Sequence, residues 1–318
     1  MLTNFIRGIE NLSKQHRPSV VSIGNYDGVH LGHQHVIATL LAKSRELGIL
    51  STVITFEPLA KEFFTPGSVA RLTSIEQRAQ MLSDLGVNQV VSIDFTKEFA
   101  NYSPKSFVNN VLINSLGAKY LSVGDDFRFG KNREGDFAFL QKMGRQNNFE
   151  VSAHDTFQLD GERVSSGRVR YALKKFDFEL AKQLLGRPYA IEGLVGRGQQ
   201  LGRTLNFPTA NIDLADYELA LRGVFVVRCF INKANENRSI EPIYGIANLG
   251  NRPTVDGKSN RLEVHLFDFD KDIYGEFLTV EFLHKVRDEQ KFTSVELLQL
   301  QIKQDVSVAK EYCQKNLV

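Results

Sequence analysis

The sequence predicts an α/β domain followed by a β domain: a parallel sheet covered by helices, then a small antiparallel barrel with a C-terminal helix. Three observations carry this. The chain has 318 residues, enough for two domains at roughly 150 residues each. Before Gly186, Val- and Ile-rich segments alternate with helix-periodic ones, which implies parallel strands buried on both faces. After Gly186-Arg187-Pro188, short strands with Gly and Pro turns dominate, the pattern of a small barrel. The expected domains are 1–186 and 187–318.

In chain order, 19–24 (SVVSIG) is a short apolar run ending in glycine, hence a buried strand. Residues 33–47 carry Val36, Ile37, Leu40, Leu41 and Leu47 near helical spacing. Residues 51–56 (STVITF) form the next strand, and 74–85 the next helix, with Ile75, Met81, Leu82 and Leu85 as its apolar positions. Segments 89–95 and 120–123 are further strands. In such sheets ligands bind beyond the carboxyl ends of the strands, which points to the segments after Ile23, Phe56 and Val123. In the second half, strands are expected at 189–195, 223–231, 242–249, 261–269 and 277–286. Leu262, Val264 and Leu266 alternate with Glu263, His265 and Phe267. A last helix starts at Thr293 with Glu296 three residues on, a capping-box spacing. Its apolar stripe is Val295, Leu298, Ile302, Val306 and Ala309.

Composition excludes several classes. Hydrophobic residues make up 42% and charged residues 24%, ordinary for a globular protein and unlike disordered or low-complexity chains. A formal net charge of +2 argues against nucleic acid as a partner. No apolar run approaches a membrane span, and the first residues lack a signal-peptide core. Cys229 and Cys313 share no metal or redox spacing, which fits thiols in a reducing cytoplasm.

Two runs in the first half combine phosphate-binding and ring-binding chemistry. SIGNYDGVHLGH (22–33) leaves a strand and enters a helix. Gly24 and Gly28 allow a tight turn, and Asp27 lies between them. His30 and His33 sit at a helix mouth, where free N–H groups and the dipole attract phosphate; a structural histidine pair is the plainer alternative. VGDDFRFGKNREGD (123–136) sets Asp126, Phe127 and Phe129 on the next rim. It is either a core-anchored loop or a face for a flat heteroaromatic ring. In RVSSGRVRYAL (163–173), Ser165 and Ser166 precede a helix bearing Arg168 and Arg170. The serines can cap that helix or, with the arginines, hold a triphosphate.

The second half has one glycine-rich run, EGLVGRGQQLGRTLNFPTANI (192–212), with Gly193, Gly196, Gly198 and Gly202. It lacks the Walker ending. Read alone it is a barrel corner, or a loop whose N–H groups face phosphate. Thr209 and Asn211 add neutral oxygens suited to Mg2+ bound with phosphates. Glu263 alone reads as an outward strand carboxylate.

Together, GNYDGVHLGH, TFEPLA, VGDDFRFGKNREGD and SSGRVR resemble the FMN adenylyltransferase module of the bacterial bifunctional riboflavin kinase/FAD synthetase family. HxGH alone would indicate only the nucleotidyltransferase superfamily. GRGQQLGRTLNFPTAN, ANLGNRPT, LEVHLFD, DIYG and VRDEQKF resemble that family's kinase module, also in order. The resemblance covers nearly the whole chain. It implies a Rossmann-like nucleotidyltransferase domain, then a six-stranded riboflavin kinase-like barrel. It further implies phosphorylation of riboflavin by ATP to FMN, then adenylylation of FMN to FAD with release of pyrophosphate.

The resemblance also implies roles. His30, His33 and Arg170 would serve adenylylation, and Glu263 would be the general base of the kinase. Gly24, Asp27, Gly28, Ser165 and Ser166 would contact ATP in the first site. Gly196, Gly198, Gly202, Arg203, Thr209 and Asn211 would do so in the second, with Thr209 and Asn211 holding Mg2+. Asp126, Phe127, Phe129 and Arg287 would contact flavin. The ligands would be riboflavin, FMN, FAD and ATP. The chain departs from the family pattern at Leu59 and Ala60 (His and Pro), Gly167 (Thr), Asn206 (Gly) and Tyr26 (often Phe). The first three motivate an alternative, a riboflavin kinase with a degenerate N-terminal domain. A flavin-binding regulator without turnover is a third possibility.

Overall fold

The computed structural model describes residues 4–197, 207–214, 217–232, 241–254 and 257–316, and the side chains of all of these except 251–254 and 257–259. Contacts divide the chain into two compact units, 1–166 and 167–318.

In the first unit, β1 (Asn4–Arg7), β2 (Ser19–Ile23), β3 (Leu50–Glu57), β4 (Gln89–Asp94), β5 (Ala118–Val123) and β6 (Glu150–Ala153) form one sheet. Its order is β1-β4-β3-β2-β5-β6, and every pairing is parallel. The helices are α1 (Leu31–Leu47), α2 (Ala60–Phe64), α3 (Ile75–Asp84), α4 (Lys97–Ala100), α5 (Pro104–Phe107) and α6 (Phe137–Asn147). α5 runs into a π-helical segment, Val108–Ser115.

The strand residues sort by parity. Val20, Val53, Val90 and Tyr120 pack in a core with α1 and α3. Their neighbours Val21, Ile54, Val91 and Leu121 pack in a second core with the π-helical segment and α6. Successive side chains point to opposite faces of a strand, so Val-Val and Val-Ile runs feed both cores. This explains why the strands read as continuous apolar runs. The short polar strands β1 and β6 lack that signature, and sequence periodicity missed them. β2 has β3 on one side and β5 on the other. The winding reverses there, and the crevice beyond the carboxyl ends of β2 and β5 is the expected ligand position.

In the second unit, α7 (Ser166–Lys174) and α8 (Phe178–Leu185) precede a barrel, and α9 (Val295–Asn316) follows it. Phe176 and Phe178 pack on Phe225, which groups these helices with the barrel by contact. The barrel strands are β9 (Ala190–Gly196), β10 (Ala210–Leu214), β11 (Gly223–Asn232), β12 (Ile243–Thr254), β13 (Gly257–Leu266) and β14 (Phe277–Arg287). They close in the order β10-β13-β12-β11-β14-β9, all antiparallel. The sixth strand is β10, hidden in the glycine-rich run. Between β7 (Gln158–Leu159) and β8 (Glu162–Arg163), still in the first unit, lies a small hairpin.

α9 corrects one expectation. Ser294, rather than Thr293, accepts from the Leu297 N–H. Val295 lies 60% exposed, off the buried stripe. The face that packs on the barrel runs through Val306, Ala309, Tyr312 and Cys313. Cys229 is buried and Cys313 half-buried, both as free thiols.

Candidate active sites

The first site is built by the loop that leaves β2. Tyr26, Gly28 and Val29 all have positive φ. Only glycine takes that backbone at no steric cost, so the loop is strained and needs anchors. Asp27 supplies one. Its carboxylate accepts from the N–H groups of Leu72 and Thr73 at 3.1–3.2 Å and from the Thr73 hydroxyl at 3.1 Å. Thr73 Oγ1 in turn accepts from the Gly28 N–H. The Asp27 carbonyl accepts from Ser166 Oγ at 2.9 Å. Tyr26 has its hydroxyl 2.6 Å from Ser22 Oγ, so a phenol here has a partner where the family often places phenylalanine.

His30 is the N-cap of α1, and its Nδ1 accepts from the His33 N–H at 3.2 Å. An accepting Nδ1 places the ring proton of the neutral imidazole on Nε2. The His30 and His33 rings stack at 3.6 Å, and Tyr26 packs on His33 at 5.0 Å. Gly32 explains the spacing between the histidines. A Cβ there would lie 3.1 Å from both the His30 ring and the Val164 carbonyl. The structure thus joins Gly24, Asp27, Gly28, His30, His33 and Ser166 at one helix mouth, with Asp27 turned into the protein as an anchor.

Beside this loop is an aromatic cleft of about 810 Å³. Gly24 and Asn25 form one edge, and Phe127 to Arg133 another. Phe127 and Phe129 stack at 5.5 Å with planes 14° apart. Sequence reasoning missed the rest of the wall: Phe56, Phe63, Phe64, Phe95, Phe99 and Tyr102. Phe56, Phe64 and Phe99 meet Phe95 edge to face, as do Phe63 and Phe64, and Tyr102 tilts against Phe99. Exposed Lys61, Lys97, Arg128, Lys131 and Arg133 also line the cleft. An apolar slot with a basic rim accepts a flat ring bearing an anionic tail. Asp126 is exposed on the same β5 loop. Leu59 is buried and Ala60 lines the cleft, so these two departures from the family pattern are taken up by packing.

Two residues sequence reasoning overlooked brace this region. Arg71 is buried and pairs with both Glu57 and Glu62. Arg78 is fully buried and donates to Thr55 Oγ1. Arg168 and Arg170 lie on α7, in the second contact unit.

The second site is placed by register. Asn211 on β10 faces Glu263 on β13, and Glu263 faces Asn248 on β12. Directly opposed residues share a face, so these three lie together, opposite the inward Leu262, Val264 and Leu266. The Asn211 amide nitrogen donates to the Thr209 carbonyl at 3.1 Å, leaving Oδ1 as its acceptor atom. Thr209 also lines a cleft of about 470 Å³ with Pro208, Val264, Leu266 and residues 269–274. Gly196 pairs with Asn211 across β9 and β10. Gly198, Gly202, Arg203 and Asn206 lie outside the described residues. Arg287 has a partner within the fold. Its guanidinium makes a bidentate pair with buried Asp305 of α9, at 2.8–3.0 Å.

Comparison with known proteins accounts for both units. The FAD synthetase family model matches residues 12–168, and the riboflavin kinase family model matches residues 185–313. The chain is 45% identical over 307 residues to a bifunctional riboflavin kinase/FMN adenylyltransferase of Pseudomonas fluorescens, covering 96% of each. It is 42% identical to the protein of that name from Haemophilus influenzae, over 96% of this chain and 98% of the relative. A crystal structure described as a macrolide-efflux protein from Streptococcus pneumoniae is 29% identical, with a TM-score of 0.73 over 100% of both chains. Among the described residues, no helix is long and apolar enough to cross a membrane. On these matches, and on the two sites they coincide with, the chain belongs to the bifunctional riboflavin kinase/FMN adenylyltransferase family.

Proposed function

We propose that the chain makes FMN from riboflavin in its barrel and FAD from FMN in its N-terminal unit, consuming ATP in both steps. The carrying observation is that each unit builds its own polar site on its own scaffold, and the first adds an aromatic slot with a basic rim.

In the barrel, Glu263 takes the proton of the riboflavin 5′-hydroxyl as its oxygen bonds to the γ-phosphorus. The bond to the bridging oxygen breaks, and ADP leaves. The donor set fits Mg2+: a hydroxyl from Thr209 and the Asn211 Oδ1 are hard neutral oxygens, suited to a cation that also takes phosphate oxygens. Thr209 and Asn211 would hold that ion. When bound, Mg2+ offsets the negative charge of the phosphates. The hydrogen bond from Asn211 to the Thr209 carbonyl fixes both residues for this task.

In the N-terminal unit, the FMN phosphate is already anionic and needs no strong base. Its oxygen bonds to the α-phosphorus of ATP, and the bond to the pyrophosphate breaks. The α1 N-terminus, His30 and His33 hold the phosphate oxygens. Ser165 and Ser166 serve the departing pyrophosphate. Phe127 and Phe129 hold the flavin ring, and Asp126 hydrogen-bonds it. We place the functional boundary at Gly186 and the protein in the cytoplasm, a reading supported by its two free thiols.

The test is a product time course from riboflavin, ATP and Mg2+. FMN should rise and then fall into FAD. FMN accumulating without FAD, even when FMN is supplied, would reduce the function to riboflavin kinase.

A further inference from the structure

We infer that Arg78 is a positioning residue for adenylyl transfer, which holds the β2–α1 loop in reactive shape through Thr55 and Asp27. This rests on the function proposed above and concerns a side chain outside the ligand clefts.

Arg78 occupies an apolar position. It lies three residues after Ile75 and four before Leu82, on the face of α3 that also buries Ala79. Its exposure is 0%. Nη1 donates to Thr55 Oγ1 at 2.9 Å, and that hydroxyl donates to the Asn25 carbonyl at 3.0 Å. Nη2 stands 3.9 Å from Asp27 Oδ1. Among the described residues, Nε and Nη2 have no hydrogen-bond partner.

Stability does not account for this arrangement. A buried guanidinium with one hydrogen bond is desolvated at a cost that one contact does not offset, and an apolar side chain of similar volume serves a core better. Burial accordingly pushes the group down from the usual arginine range, with Asp27 acting against that. What Arg78 does provide is placement. Asn25 forms an edge of the aromatic cleft, while Asp27 and Gly28 lead into His30. One side chain therefore touches the support of the flavin slot and the support of the phosphate-binding helix mouth. Thr73, just before α3, and Arg78, in its first turn, hold the loop at both points. Distance between the two ligands decides an in-line displacement, and a misplacement of about 1 Å can cost on the order of a hundredfold in rate.

The test compares wild type, R78M, R78K, T55V and R78M/T55V. FAD formation from supplied FMN is measured with kcat and KM separated. Riboflavin phosphorylation and thermal unfolding are followed on the same samples. R78M should lose roughly tenfold or more in kcat for FAD formation, keep KM for FMN and ATP within about threefold, and leave riboflavin phosphorylation unchanged. R78K should recover part of the loss. The double variant should be no worse than the poorer single, because both act through one linkage. R78M with a kcat within about twofold of wild type, or fully additive losses in the double variant, would overturn the inference. If R78M does not fold, T55V decides: an unchanged kcat overturns the inference, a lowered kcat at constant KM supports it. A wild type that makes no FAD from FMN would overturn the function reading instead.

Discussion

In residues 1–166 the site residues come from loops far apart in sequence, gathered at the carboxyl ends of parallel strands. In residues 167–318 they sit on neighbouring antiparallel strands, and pairing places them. The difference shows in the buried charges. Asp27, Glu62, Arg71 and Arg78 are all buried in the region beneath the first site. Asp27 anchors its loop to Leu72 and Thr73, and Arg78 reaches the loop through Thr55. In the second unit, buried Glu281 pairs with Arg228 across the barrel wall, and buried Asp305 of α9 pairs with Arg287 of β14. Register between β10, β13 and β12 aligns Asn211, Glu263 and Asn248. A loop site needs a polar foundation, while a barrel site inherits its geometry from the ladder.

The widest separation between the units comes from one substitution in each. His33→Ala should lower FAD formation from FMN by about a hundredfold or more and leave riboflavin phosphorylation within about twofold. Glu263→Gln should lower riboflavin phosphorylation by about 10²–10⁴-fold and spare FAD formation from supplied FMN. Parallel loss of both activities in either variant would erase the distinction between the sites.

A smaller effect sharpens the account of the barrel. Arg287→Ala leaves the buried Asp305 carboxylate without its charge partner, with the Gln301 amide still donating to it, so the barrel should lose about 3 kcal/mol in chemical denaturation. A loss of flavin affinity at unchanged stability would instead make Arg287 a flavin contact, as the family resemblance implied.

The smallest effect concerns the loop foundation of the first site. Burial pushes the Tyr26 phenol up to about 12 from its usual 10, the Ser22 hydrogen bond acting against it. The stability this carries is full below pH 10. It is lost as pH rises from 10 towards 12, because the unfolded phenol ionises there and the folded one does not. The loss amounts to about 2 kcal/mol. Tyr26→Phe should therefore make the first unit less sensitive to alkali in that window, followed by denaturation at pH 9 and pH 11.5. Equal sensitivity of both proteins would remove Tyr26 from the account.

Much of the fold and of the first candidate site was legible in the sequence, because the residues assigned to phosphate lie close together in the chain. A strand, a glycine turn and two histidines at a helix mouth lie within one twelve-residue run. The Leu262, Val264 and Leu266 alternation likewise gave the inward face of β13. The aromatic cleft was hidden because Phe56, Phe63, Phe95 and Phe99 look like core residues until folding brings the ends of β3 and β4 beside the β5 loop. The ion pair of Arg287 was hidden for the converse reason. Its partner Asp305 lies on a separate helix, and no local pattern shows the pair. Arg78 did leave a signal, a charge on the apolar stripe of α3 between Ile75 and Leu82.

The central claim is that two independent sites share one chain. The most direct measurement mixes His33→Ala with Glu263→Gln and supplies riboflavin, ATP and Mg2+. Each variant alone should form no appreciable FAD from riboflavin. Together they should form it, with FMN from the first protein passing through solution to the second. A mixture that forms no FAD, while Glu263→Gln still adenylylates supplied FMN, would contradict the account.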